Sequence, residues 1–279
     1  MPIRLSLLML HLAFGLTGAS HAADAANAAE WTDPRNGLSF VWVQPGCFDM
    51  GALRAAEAAP HGKPRSPRQD ETPLHRVCVD GYWMGRHEVR RDQWQNIMGG
   101  RPATTQADDR RPVTHVTWQQ AQDFLDRINR DAPPGKRFRL PTEAEWEYAC
   151  QPGEAQSDIE NDRWEREAEL KRSAWFRSNK QGATDAAETG TLAPNPRGLF
   201  DMLGNVWEWT ADTYRADAYS RHAGKNPLIS EPGDRKVLRG GSFRSDIHQS
   251  RCGARAFGLA DDPLPTVGLR LVVDSGEKP

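Results

Sequence analysis

The sequence predicts a single compact α+β domain with a low content of regular secondary structure. The chain has 279 residues, which suits one or two domains with a sizeable core. Short β-prone and helical segments are separated by long polar loops, and no internal repeat or linker divides the chain. Ten tryptophans beside four tyrosines indicate a core built on indole rings.

Residues 1–22 have the three parts of a secretory signal peptide. Arg4 provides a positive charge, Leu5–Leu16 an apolar segment, and Ser20–Ala22 a small-x-small cleavage site. The apolar segment is shorter than the ~20 residues that a membrane span needs, and no later segment is a candidate. We therefore expect a periplasmic protein that does not span the membrane, with residues 23–36 as a mobile leader.

The charge balance argues against a nucleic-acid partner. The chain carries 36 Lys and Arg against 38 Asp and Glu, a formal net charge of −2, and loss of Arg4 with the signal peptide makes it −3. The basic residues are dispersed, whereas nucleic-acid binding usually calls for a clustered basic surface. We expect no nucleic acid.

The domain is expected to span residues 37–275, beginning with short strands. Leu38–Val43 alternates as a strand does, and His75–Met84 is predicted to be a strand pair with its turn at Asp80-Gly81. Gly51–Asp70 is rich in Ala, Pro, Arg and His without periodicity, which favours a flexible surface loop.

Three helices are indicated by caps and periodicity, and a fourth by composition. A short helix is predicted around Arg91–Met98. Thr117 caps a second helix, whose apolar residues have helical spacing: Trp118, Ala121, Phe124, Leu125 and Ile128. Thr142 begins a third, with Glu145 three positions on as a capping box. The mixed charges of Glu154–Arg172 are typical of a solvated helical insertion.

The last third is expected to be mostly irregular. Loops are predicted at Ser173–Asn195 and Arg215–Asp234. A short strand at Lys236–Arg239 leads into a turn at Gly240-Gly241, and the final strand is predicted at Val267–Val273.

Four cysteines in an exported chain indicate two disulfides, for which three connectivities exist. We favour Cys47 with Cys78 and Cys150 with Cys252. The first two cysteines both lie in the strand-like N-terminal third, whereas Cys150 closes a helix.

The run Gly198–Trp209 combines carboxylates, glycines and indoles. Asp201 and Glu208 are seven residues apart, and a glycine between them lets carbonyl oxygens point inward beside the carboxylates. Calcium favours that mixture of oxygens. The alternative is a tryptophan-rich turn buried in the core, with Glu208 hydrogen-bonded to a neighbour. Because short metal patterns give many false matches, spacing alone leaves both interpretations open.

Six stretches, in order, resemble the formylglycine-generating-enzyme (FGE, sulfatase-modifying factor) family. They cover about residues 38–273. The chain is thus similar to that family, which implies an FGE-type domain with a C-type-lectin-like fold. The stretches are C-F-D-M-G at Cys47–Gly51, G-Y-W-M-G-R-H-E-V at Gly81–Val89, F-R-L-P-T-E-A-E-W-E-Y-A-C at Phe138–Cys150, G-N-V-W-E-W at Gly204–Trp209, L-R-G-G-S-F at Leu238–Phe243 and G-L-R-L at Gly268–Leu271.

The resemblance implies one structural calcium site and a groove. The calcium would be held by oxygens of four residues that match the family in kind: Asp201, Gly204, Val206 and Glu208. A second family calcium lies upstream, where residues 174–191 depart from the pattern, and we do not transfer it. The groove that binds a substrate or partner would be lined by Trp207, Ser242, Phe243 and Ser245.

The cysteine pair of the family's copper chemistry is missing. Formylglycine-generating enzymes oxidise a sulfatase cysteine with copper and dioxygen, using two thiols that follow the G-G-S-[FY] turn. Copper(I) requires soft ligands such as thiolates. Ser245 stands at the first thiol position, no second thiol follows, and Cys252 matches a structural cysteine. We therefore expect no copper and no such catalysis, and we interpret Asp246 and His248 as ordinary loop residues.

Two functions follow from the resemblance. The first is a non-catalytic periplasmic binding protein that engages a protein partner. It resembles the thiol-less branch of the type VI secretion regulator TagR, which promotes activation of a membrane kinase. The alternative is an exported oxidase without copper thiols, acting on a peptide as PvdO-like proteins of pyoverdine maturation do. Secretion and kinase genes nearby would favour the regulator, and siderophore genes the oxidase.

Overall fold

The computed structural model describes residues 29–51, 69–100, 110–151 and 163–275. The predicted signal peptide, the first part of the leader, most of the loop predicted at Gly51–Asp70 and the start of the charged insertion lie outside these residues. The described part contains short helices and strands joined by long irregular segments, which confirms a mixed domain of low helical content. No helix in it is long and apolar enough to cross a membrane.

The helices and strands are short. The strands are β1 (Glu30–Thr32), β2 (Ser39–Val43), β3 (Gly46–Met50), β4 (His75–Val79), β5 (Tyr82–Gly85), β6 (Lys136–Arg139), β7 (Trp207–Thr213), β8 (Arg235–Arg239), β9 (Ala256–Leu259), β10 (Val267–Leu269) and β11 (Val272–Ser275). The helices are α1 (Arg91–Met98), α2 (Trp118–Arg130), α3 (Glu143–Cys150) and α4 (Arg163–Ser173).

The strands form two sheets and a ribbon. One sheet has the order β1-β2-β5-β11-β6 with antiparallel neighbours, and the second has the order β10-β7-β8-β9, in which β10 runs parallel to β7. The ribbon pairs β3 with β4. Indole rings from both sheets and from α1 lie in one apolar core, which confirms the expectation from composition: Trp42, Trp83, Trp94, Trp207 and Trp209.

The predicted helix caps of α2 and α3 are present. Thr117 Oγ1 accepts a hydrogen bond from Gln120 N at 3.0 Å, and Thr142 Oγ1 accepts one from Glu145 N at 3.1 Å. The side chains of Gln120 and Glu145 reach back to the cap nitrogens at 2.9 and 2.8 Å. Each capping box thereby satisfies two amide groups that the first turn leaves without a partner.

The strand pair predicted within His75–Met84 is wrong, although both strands exist. β4 pairs with β3, while β5 pairs with β2 and β11. The other edge of β4 is occupied, because Cys78 N donates to Gly224 O and Asn226 N donates to Cys78 O, each at 2.8 Å. With both edges taken, the turn at Asp80-Gly81 carries the chain into a different sheet.

Two predicted boundaries also need correction. Val267–Val273 is two strands, since β10 pairs with β7 and β11 pairs with β5 and β6. The expected leader is shorter than residues 23–36, because β1 pairs with β2 and Trp31 stacks on Phe40 with ring centroids 5.2 Å apart. Stacking of that indole anchors the segment, so residues 29–36 belong to the folded domain.

Both favoured disulfides are confirmed. Cys47 and Cys78 are cross-strand partners in the ribbon and are bonded to each other. Cys150, the last residue of α3, is bonded to Cys252 across 102 residues of sequence. All four cysteines of the chain are therefore in disulfides.

Candidate functional site

The loop before β7 has an unusual backbone. Asp201, Gly204 and Asn205 have positive φ angles of 55°, 79° and 51°, a region that residues other than glycine rarely occupy. A Cβ at Gly204 would lie 2.1 Å from the carbonyl oxygen of Trp175, so only glycine fits. The close approach lets Asn205 N donate to that same oxygen at 2.7 Å. The loop is therefore fixed against the chain segment at Trp175.

Glu208, predicted as a calcium ligand, lies in a buried ion pair. Arg270 donates to its carboxylate from Nη2 at 2.7 Å and from Nε at 3.0 Å, and Trp146 Nε1 donates to Oε2 at 2.7 Å. Arg270 also donates to the carbonyl oxygens of Gly85 and Phe200 at 2.9 and 2.8 Å. Each Glu208 oxygen thus has a donor, which is the hydrogen-bonded arrangement of the alternative interpretation.

Three buried carboxylates, Glu88, Asp201 and Glu208, face this one guanidinium. Glu88 accepts from Asn205 Nδ2 at 2.8 Å and Val206 N at 3.2 Å. Burial, with Asp201 and Glu208 nearby, raises the pKa of Glu88 well above its usual value. Burial also raises the pKa of Asp201 to about 6. The cluster therefore has an excess of negative charge that protons or a cation must offset.

The carboxylate oxygens of Asp201 are more available as calcium ligands than those of Glu208. Asp201 Oδ2 accepts from Gly190 N at 2.7 Å, whereas its buried Oδ1 has no hydrogen-bond partner among the described residues. An orphaned carboxylate oxygen beside excess negative charge is what a hard dication would occupy. Glu208 would have to share its oxygens between the ion and Arg270.

The glycine turn that follows β8 contacts the same loop. Gly204 N donates to Gly240 O and Phe243 N donates to Asn205 O, each at 2.8 Å. Two regions predicted separately, the calcium run and the turn, are therefore joined in one structural unit. Within the turn, Ser245 Oγ accepts from Ser242 N at 2.9 Å.

The four residues predicted to line a groove are buried. Their exposed fractions are 8% for Trp207, 2% for Ser242, 2% for Phe243 and 3% for Ser245. They support the surface beside them and present little area of their own to a partner. The exposed side chain of the turn is that of Arg244, whose Nη2 donates to Thr184 O at 3.4 Å.

Beside this turn lies an open cleft of about 420 Å³. Its wall packs on the turn through apolar contacts of Phe243 with Ala183 and Ala186. Polar and aromatic side chains supply most of the lining: Arg111, Trp175, Lys180, Thr184, Asp185 and Glu188. We call this surface the 175–191 cleft.

Charged contacts order the floor of the 175–191 cleft. Asp185 pairs with Arg91 at 2.6 Å and with Arg111 at 2.9 Å. Lys180 Nζ lies 5.3 Å from the centroid of the Trp175 ring, a cation–π distance. Within the lining, Arg111 and Lys180 balance the carboxylates of Asp185 and Glu188, and Arg244 adds a cation at the edge, where it donates to Thr184 O. The cleft thus suits an acidic ligand with an apolar or aromatic group.

Sequence reasoning missed the cleft because its residues lie in a segment predicted only as a loop. Trp175 was the available signal, since a single indole in a polar loop needs a partner surface. Arg111 lies more than 60 positions before it, and nothing local indicates that they meet.

Comparison with known proteins agrees with the resemblance. The model of the sulfatase-modifying factor enzyme 1-like domain matches residues 27–275. Formylglycine-generating enzyme of Mus musculus is 24% identical over 93% of this chain and 83% of its own length. Serine/threonine-protein kinase pkn1 of Chlamydia pneumoniae is 30% identical over 77% of this chain, which spans only 35% of that protein. The structure of PvdO from Pseudomonas aeruginosa has a TM-score of 0.71 at 21% identity, covering 88% and 98% of the two chains.

These findings define a single FGE-like domain. The chain belongs to the FGE-sulfatase family, whose domain takes up nearly all of the residues after the predicted signal peptide. The likeness to PvdO supports the fold alone, because the identity is low.

Proposed function

We propose that this protein is a non-catalytic, FGE-like periplasmic protein that binds a protein partner through the 175–191 cleft. The observation that carries the proposal is the position of this open, charged cleft beside a turn in which Ser245 replaces a thiol. The two thiolates of the family's copper chemistry have no counterpart, because all four cysteines are paired. The surface is available for binding, while the reactive pair is absent.

The proposed partner is the periplasmic part of a type VI secretion-associated membrane kinase, whose activation this protein would promote as a TagR-like regulator. Export through the predicted signal peptide would bring this protein into the compartment of that periplasmic part. The Chlamydia protein named as a kinase contains a region like this chain in about a third of its length, which links an FGE-like domain to a kinase. Lys180 in the cleft and Arg244 at its edge further favour an acidic segment of the partner.

Replacement of Lys180 and Arg244 by Glu is expected to weaken partner binding at least tenfold. The double substitution reverses the charge that attracts an acidic segment, so the association rate falls and its salt dependence changes. The measurement is biolayer interferometry against the kinase's purified periplasmic part, together with kinase phosphorylation in vesicles.

The matched control is Lys225→Glu, since that exposed lysine pairs with Asp80 outside the cleft. Ser245→Ala is a second control and should leave binding intact. Equal binding by the Lys180→Glu/Arg244→Glu variant and the native protein would contradict the cleft assignment. Oxygen consumption with an exported peptide, lost in Ser245→Ala, would support the oxidase instead.

We further propose that calcium binds at Asp201, Gly204, Val206 and Glu208 and stabilises the loop beneath the cleft. Saturating calcium is expected to raise the melting temperature by roughly 5–10 °C relative to chelator. A ligand at 100 times its Kd adds about 2.7 kcal/mol, and each kcal/mol is worth about 2–4 °C in a domain of this size. Scanning calorimetry measures the shift.

The Asp201→Asn variant should lose the calcium effect, because it removes a charge and weakens the orphaned oxygen as a ligand. Asp217→Asn, which changes an exposed carboxylate, should keep it. Identical melting curves of the native protein in calcium and in chelator would rule out the site.

A further inference from the structure

A second polar cluster lies at the start of helix α3, one turn before Trp146, the residue of α3 that contacts Glu208. Three side chains bring ligand atoms within 4.8 Å of one another: Glu143, Asp212 and His222. Glu143 is the first residue of α3, Asp212 lies in β7, and His222 follows a short 3₁₀ turn at Ala218–Ser220. The first two are fully buried.

The hydrogen bonds of His75 determine which nitrogen of His222 is free. His75 Nδ1 lies 3.0 Å from Pro73 O, and His75 Nε2 lies 3.1 Å from His222 Nδ1. A carbonyl oxygen only accepts, so neutral His75 carries its proton on Nδ1 and accepts at Nε2. His222 then donates from Nδ1, which leaves its Nε2 as an unprotonated acceptor.

This acceptor is buried without a partner. His222 Nε2 has no hydrogen bond among the described residues, and a ring nitrogen of His222 lies within 4.8 Å of oxygens of Glu143 and Asp212. A buried acceptor left unpaired beside two carboxylates is unfavourable unless a cation or a proton satisfies it.

The carboxylates are already held in place. Asp212 Oδ2 accepts from Glu143 N at 2.7 Å and Oδ1 accepts from Ile229 N at 2.9 Å. Glu143 accepts from Arg255 Nε at 2.6 Å and from Nη2 at 3.0 Å. Each Asp212 oxygen keeps a second lone pair, and Glu143 Oε2 keeps one as well.

The local charge also leaves room for a cation. The guanidinium groups of Arg239 and Arg255 are paired with Glu143 and Glu147. These two positive and two negative charges cancel, so among the described residues no buried guanidinium pairs with the carboxylate of Asp212, and a further cation that interacts with it is the partly buried Lys236. A cation bound there offsets that charge.

We propose that Glu143, Asp212 and His222 bind a zinc ion, with His75 as the residue that orients the His222 ring. One imidazole and two carboxylates suit zinc, whereas calcium takes oxygen ligands alone. Ligand atoms about 2.0–2.2 Å from a tetrahedral zinc lie roughly 3.4 Å apart, so the three atoms, now within 4.8 Å of one another, need to approach by at most roughly 1.4 Å. A half-buried His222 leaves the ion a route from solvent. This site is separate from the calcium loop and does not depend on the proposed function.

Cobalt(II) is the probe, because its visible absorption reports direct nitrogen and oxygen ligation in a zinc site. Chelator-treated native protein should bind one cobalt per chain with a visible band that zinc displaces. His222→Ala should lose the band and bind zinc at least 100-fold more weakly. His248→Ala, which changes a partly exposed histidine elsewhere, should keep both. No band in the native protein, or the same band in His222→Ala, would overturn the proposal.

The positioning role of His75 has its own readout. His75→Gln should keep the cobalt band and lower zinc affinity about 10–100-fold, as loss of an outer-sphere partner does. Anomalous diffraction at the zinc edge on native crystals settles the location even if a variant fails to fold. A peak bonded to His222 Nε2 supports the site, and a peak only elsewhere, or none, refutes it.

Discussion

Removal of the Cys150–Cys252 disulfide, by replacing both residues with alanine, is expected to lower the free energy of unfolding by about 4–5 kcal/mol. The bridge closes a segment of 102 residues, and constraint of the unfolded chain by a loop of about 100 residues is worth about 4.7 kcal/mol. The same bridge fixes the carbonyl oxygen of Cys252, which accepts from Arg239 Nη2 at 2.6 Å. Urea denaturation followed by tryptophan fluorescence measures the loss.

The Cys47–Cys78 disulfide provides the matched comparison. It spans 31 residues, for which the same relation gives roughly 3.7 kcal/mol, and its cysteines are already held together as cross-strand partners in the ribbon. The double alanine variant should therefore lose about 1 kcal/mol less. The opposite order of losses would show that loop length does not decide the effect here.

Local sequence signals predicted the helices well. The capping boxes at Thr142 and Thr117 depend on residues three positions apart, so the information lies within one turn of the chain. The disulfides were predicted from the kind of segment that contains each cysteine, since Cys47 and Cys78 both lie in the strand-like N-terminal third. The helix caps are determined by near neighbours in sequence, whereas the Cys150–Cys252 disulfide joins residues 102 positions apart.

Strand pairing was less predictable, because each strand's partners are distant. β9 was missed, as Gly258 interrupts its β-prone pattern. The reason for that glycine lies about 50 residues earlier, since a Cβ would meet the Trp209 ring at 2.6 Å. Val267–Val273 was likewise predicted as one strand. Arg270 lies at the break between β10 and β11, and its side chain donates to Glu208 in β7.

The candidate site shows the same limit. Spacing identified Asp201 and Glu208 as oxygen donors, and the structure brings both into one buried cluster. Spacing did not reveal Glu88, which lies 117 positions before its partner Asn205. It also did not reveal that Arg270 pairs with Glu208. The charge of a buried site depends on all groups that face it, and those groups come from several elements.

Replacement of Arg270 by methionine is expected to lower the free energy of unfolding in chelator by about 3–5 kcal/mol. Loss of one partner from a buried ion pair leaves the other charge uncompensated, with a cost in this range. Here the cost falls on Glu208, and Glu88 and Asp201 lose the same nearby cation. Arg76→Met, which changes a largely exposed arginine paired with Asp49, should alter stability by no more than about 0.5 kcal/mol.

Calcium should partly restore the Arg270→Met variant, and by more than it stabilises the native protein. Without the guanidinium, both Glu208 oxygens lose charged donors, so their lone pairs become available to the ion beside Asp201 Oδ1. Unfolding curves of both proteins in calcium and in chelator measure the two gains. Equal gains would place the ion away from Glu208. A loss in chelator below about 1 kcal/mol would instead contradict the view that Arg270 compensates the buried charge of Glu208.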